Sequence, residues 1–135
     1  ERQWKRSGCQ EGGRRLGRRM DSIAELTTHI NAFRDARDWK QFHNPKDMAL
    51  SISIEAAELM EQFQWKNVAE CEDHLRANRE AVADEMADVA IYLFELADLL
   101  EMNLGREMLR KLEKNTSKYP VEKARGSNRK YDELN

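Results

Sequence analysis

A chain of 135 residues suits one domain and is long enough to bury a core, and with 36% charged residues it calls for amphipathic elements with solvated outer faces. Of its six glycines four precede Met20, and the two prolines are Pro45 and Pro120, so the body lacks the turn-formers of a β-rich fold and reads as all-α. Charge is uneven: residues 1–19 carry +5 and the remainder −7, an acidic body that argues against wrapping nucleic acid, and no apolar run approaches the ~20 residues of a membrane span.

Residues 1–19 show no helical period and form an irregular basic leader, read as non-native or disordered, with Met20 as the natural start. The leader has no apolar core of a secretory signal. Two cysteines, Cys9 and Cys71, are too few for a disulfide framework, so a reducing, cytoplasmic setting is expected. The first helix is predicted over 22–38, capped by Asp21 or Ser22, with Ile23, Leu26, Ile30 and Phe33 as one apolar stripe. Residues 39–45 break the period and read as a loop, and Asn44 before Pro45 disfavours helix there.

The second helix starts at Pro45 or Lys46 and runs to Trp65, its apolar face made of Ile52, Ala56, Leu59, Met60 and Phe63. Residues 66–78 are polar, with a short helix over 68–76. The third helix, 79–102, repeats Val82, Met86, Val89, Leu93, Leu96 and Leu100 at spacings of three and four, ending at Asn103 and Gly105. The fourth, 104–117, turns Leu104, Met108, Leu109 and Leu112 inward, and Tyr119-Pro120 closes it. Residues 121–135 read as an extended or mobile tail. Such helices make a four-helix bundle over residues 20–120, and the apolar density of the third helix points to a homodimer that completes the core.

Two carboxylate pairs stand out: Glu55 with Glu58 on the second helix, and Glu85 with Asp88 on the third. Residues three apart lie on nearly the same side of a helix, so each pair projects in one direction. Both sit among small apolar residues, where like charges repel and lose hydration; a hard divalent cation with oxygen ligands compensates. Glu70 to Asp73, and Glu95 with Asp98, read as chance pairs on solvated faces. No His follows a Glu at the offset of a di-iron bundle, and no Cys or His spacing suits zinc.

At these residues the chain resembles the MazG-like pyrophosphohydrolases, whose signature is E-x-x-E, a spacer, then E-x-x-D; here the spacer is 26 residues. The flanks are similar to the small dCTP-preferring branch: Arg37 to His43, Phe63-Gln64-Trp65-Lys66, Asp88 to Leu93, Asn115 with Lys118-Tyr119-Pro120, and Ser127 to Tyr131. The resemblance implies a four-helix catalytic domain that assembles as a homodimer or a dimer of dimers. It implies metal ligands and catalytic groups at Glu55, Glu58, Glu85 and Asp88, base-contacting aromatics at Trp39, Trp65 and Tyr92, and polar contacts at Lys111, Asn115 and Tyr119. His43, in the loop, is a further candidate for the base. Where that branch often has a His in the first helix, this chain has Ile30, with His29 beside it.

The reaction implied is (d)NTP plus water giving the monophosphate and pyrophosphate, with Mg²⁺, or Mn²⁺ in its place, offsetting phosphate charge and activating water. Glu55, Glu58 or Glu61 takes the water's proton, and Lys111, Lys114 or Lys118 touches phosphates. The partner is then a nucleoside triphosphate, dCTP by preference, and neither nucleic acid nor membrane. The alternative is a non-catalytic helical interaction module whose acidic groups are only a solvated face.

Overall fold

The computed structural model describes residues 22–134; the expected leader, Cys9 and Asp21 lie outside them. In chain order come α1 (Ile23–Asp35), a 3₁₀ turn (Trp39–Phe42), α2 (Pro45–Glu61), α3 (Val68–Ala77), α4 (Arg79–Leu99), α5 (Leu104–Lys118), the short α6 (Val121–Ala124) and a 3₁₀ turn (Tyr131–Glu133). No strand occurs among the described residues.

The helix starts follow from local chemistry. A side-chain oxygen ahead of the first turn satisfies a backbone N–H that the helix leaves orphaned. Ser22, Asn44, Asn67 and Asn103 each accept from the backbone N–H three residues on, at 2.9–3.2 Å. At α3 the exchange is reciprocal, since Glu70 accepts from the Asn67 N–H at 2.7 Å. Pro45, whose missing N–H is no loss there, opens α2.

Several boundaries differ from the expected ones: α2 ends at Glu61, not Trp65, in a turn that carries Trp65 at a left-handed φ of 64°, and α4 ends at Leu99, not residue 102, ahead of Glu101 at a φ of 53°. α1 stops at Asp35 rather than residue 38, because Asp38 takes a left-handed φ of 53° and turns the chain. The Gln41 side-chain amide donates to the Asp38 carbonyl at 2.9 Å and carboxylate at 2.8 Å, holding that turn, so the segment expected to be a loop is partly 3₁₀. The tail, expected to be extended, carries α6 and a closing 3₁₀ turn.

α2 packs most extensively on α4, and α1 and α3 also rest against α4. Arg34, almost wholly buried, pins α1: its guanidinium pairs with Asp35 at 2.8 Å and reaches Asp98 of α4 at 3.9 Å. Asn31 donates to the same Asp98 carboxylate at 3.0 Å. The buried apolar set is thin, consisting of Met48, Val82 and Ala97. Met108, Leu109 and Leu112 of α5, expected to face inward, are all more than half exposed, because α5 stands largely clear of the other helices. Leu50, Ile54 and Met86 are likewise open.

Candidate functional site

α2 and α4 carry the two carboxylate pairs, and their side-by-side packing sets the pairs facing each other. Glu55, Glu58 and Glu85 each offer one oxygen, and these three oxygens lie within 4.8 Å of one another. Glu55 and Glu85 are half-buried and Glu58 is exposed. Asp88 stands outside this trio, one turn beyond Glu85, yet close enough for its charge to act on both Glu55 and Glu85.

The electrostatics are those of an uncompensated cluster. Burial, and after it the charges of Glu58, Asp88 and Glu85, pushes the Glu55 carboxyl above the usual carboxylate range. Glu85 is pushed up by burial and then by Glu58, Asp88, Asp84 and Glu61. No cationic side chain is among the causes in either case. An all-oxygen donor set without His or Cys fits a hard divalent cation of the Mg²⁺ class and not zinc.

Next to the cluster opens a cavity of about 390 Å³, walled by Trp39, His43, Phe33 and Tyr92, with Asp88 on its border. The Trp39 and Phe33 rings pack edge to face, 5.8 Å between centroids, and the Arg37 guanidinium covers the Phe33 ring at 3.6 Å. Burial raises the Tyr92 hydroxyl above its ordinary range, reinforced by the Glu55, Glu95 and Asp88 charges, while a hydrogen bond with Ser51 pulls the other way.

Trp39, His43 and Tyr92 therefore share one cavity with Asp88. The single chain does not bring the other expected contacts there. Trp65 sits in the turn after α2 with a left-handed φ of 64° and is 93% exposed. Lys111 and Asn115 lie on α5, and Tyr119 follows it, packed edge-on against Tyr131 at 6.1 Å.

Of the cavity residues that sequence reasoning did not assign to the site, among them Phe33 and Ile91, the charged one is Glu95. Glu95, expected on a solvated face, is 5% exposed and lines the cavity. Burial pushes its carboxyl above the usual range, although the charges of His43 and Arg34 pull the other way. Its spacing of seven from Asp88 and three from Tyr92 places the three on one face of α4, a signal present in the sequence. A second cavity, about 320 Å³, lies between α1, α4 and the start of α5, where Asn31 Oδ1 is buried without a partner.

Comparison with known proteins gives the chain's relatives. Residues 50–134 match the model of the MazG-like family. Rat dCTP pyrophosphatase 1 is 40% identical over 104 residues, which span 76% of this chain and 61% of that protein. The human dCTP pyrophosphatase 1 is 41% identical over the same shares, so the chain spans about 61% of the length of the curated relatives it matches. The crystal structure of a pyrophosphatase from Archaeoglobus fulgidus superposes with a TM-score of 0.70 at 45% identity, covering 73% of this chain and 92% of that one.

Proposed function

This chain belongs to the MazG-like family, and from that premise we propose that it hydrolyses a nucleoside triphosphate, dCTP by preference, to the monophosphate and pyrophosphate. The carrying observation is the convergence of the Glu55, Glu58 and Glu85 oxygens within 4.8 Å, beside an aromatic cavity bordered by Asp88. Rat and human proteins named dCTP pyrophosphatase 1 support the choice of base.

Glu55, Glu58 and Glu85 would hold Mg²⁺, or Mn²⁺ in its place, with Asp88 alongside. When bound, the cation offsets phosphate charge and acidifies the attacking water. The chain's own groups do the rest. A carboxylate of the quartet left free takes the water's proton as the anhydride between the α- and β-phosphates breaks and pyrophosphate leaves. Trp39 and Tyr92 offer ring faces to the base. A second copy of the chain covers the open apolar residues of α2, α4 and α5, as a homodimer or homotetramer.

Incubation with a panel of dNTPs and Mg²⁺, with products separated by chromatography, tests the reading. Pyrophosphate and the monophosphate are expected, dCTP being the fastest. Inorganic phosphate alone, or no turnover, rules it out. Glu58→Ala and Asp88→Ala should each lower turnover by at least about 100-fold with helical circular dichroism intact. Mg²⁺ with a non-hydrolysable dNTP should raise the melting temperature of the wild type. A non-catalytic helical module shows neither response.

A further inference from the structure

Glu95 does work that neither a metal cluster nor a stacking platform accounts for. Its carboxylate lines the aromatic cavity while its side chain is only 6% exposed, on the α4 face that carries Asp88 and Tyr92. The closest basic group, His43 Nδ1, stands 4.0 Å from Glu95 Oε1, beyond hydrogen-bonding distance. A buried carboxylate whose acceptor capacity is left to an open cavity is held there at a cost in hydration, which a ligand donor offsets.

We propose that Glu95 and His43 read the edge of the base, Glu95 accepting from an exocyclic amino group and His43 donating to the ring nitrogen beside it, so that the cavity selects an aminopyrimidine triphosphate over its keto counterpart. This rests on the triphosphate-hydrolysis reading above and names the residues that choose its substrate.

The order of groups along α4 supports the assignment. Asp88 adjoins the metal-binding carboxylates, Tyr92 lies one turn further, and Glu95 lies a second turn beyond, the sequence in which phosphate, sugar and base follow in a nucleotide. The chemistry at the far end is complementary. Cytosine presents an N4 amino donor next to the N3 acceptor; a carboxylate accepts from the first, and an imidazole with its proton on Nδ1 donates to the second. Uracil offers O4 and N3–H at the same two places. Acceptor then meets acceptor and donor meets donor, and a site built on hydrogen bonds rejects such a ligand strongly. Arg34 keeps the Glu95 side chain in a positive field from the α1 side.

The test compares kcat/KM for dCTP, dUTP and the triphosphate of the 4-unsubstituted pyrimidinone deoxynucleoside, using wild type and Glu95→Gln. The wild type should prefer dCTP to each of the others by about tenfold or more. In Glu95→Gln, whose amide presents either a donor or an acceptor by turning over, the dCTP to dUTP ratio should fall about tenfold, mainly through KM. A variant in which both substrates lose equally and the ratio holds shows that Glu95 only supports the fold, and overturns the proposal. Should the variant not fold, Glu95→Asp, whose carboxylate is drawn back by one methylene, takes its place: a dCTP to dUTP ratio that falls about tenfold upholds the proposal, and an unchanged ratio, or equal wild-type kcat/KM for dCTP and the 4-unsubstituted analogue, overturns it. A wild type that hydrolyses triphosphates without heeding the 4-position defeats this inference alone. A wild type that hydrolyses none defeats the function reading as well.

Discussion

A carboxylate taken out of water resists ionisation unless cations hold it charged. At Glu95 burial outweighs the pull of His43 and Arg34, and the carboxyl ends above its ordinary range. The folded state thus binds this proton more tightly than the unfolded chain, whose Glu titrates at about 4.3. The associated stability is fully present below that pH and is lost as pH rises through the folded value. Glu95→Gln, which never ionises, should therefore melt higher relative to wild type at pH 7 than at pH 4, as followed by circular dichroism. A difference that stays constant or shrinks with rising pH would contradict the assignment. The same logic applies to Glu55 and Glu85, whose raised values come from burial and from one another's charges, and it explains why a bound cation would stabilise the fold as well as the substrate.

Among the elements, α3 rests most visibly on its cap. It is only ten residues long, touches chiefly α4, and begins with the reciprocal Asn67–Glu70 exchange. Asn67→Ala should lower unfolding free energy by about 1 kcal/mol in a urea titration, and a loss of a few tenths or less would mean that packing alone holds α3. Two helix starts were legible, from the cap at Ser22 and the first-turn Pro45, whereas the caps at Asn67 and Asn103 were not read, Asn103 having been taken only as the end of the preceding helix. The two carboxylate pairs were legible through their spacing of three on helices of clear period. The end of α1 was not: it depends on Asp38 entering the left-handed region, which a hydrophobic pattern does not record. Nor was Glu95, since a charge on an amphipathic helix is read as solvated by default, and only the approach of α1 and the Trp39 turn encloses it. The apolar period of α5 marked a face correctly as apolar, but a period does not tell which body covers the face.

For the molecule as a whole, the thin buried core and the open Leu50, Ile54, Met86, Leu109 and Leu112 leave more apolar surface in water than a self-sufficient domain of this length shows. Light scattering after size exclusion should find a dimer or tetramer at micromolar concentration, with a melting temperature that rises with protein concentration. Leu109→Glu, at a side chain 65% exposed in the single chain, should weaken assembly about tenfold or more without unfolding the protomer. A monomeric wild type would refute the expectation. One feature of α4 reaches further still. Asp88 and Glu95 are seven residues apart on an unbroken helix, so about 10 Å separates them, and under the proposed function that is the span from the cut anhydride to the base. A helix hardly stretches, and the molecule thereby owns a gauge. Under that proposal a phosphorylated sugar without a base, or free pyrophosphate, would engage one stop of it and not the other, and would be turned away by its dimensions before its chemistry is ever consulted.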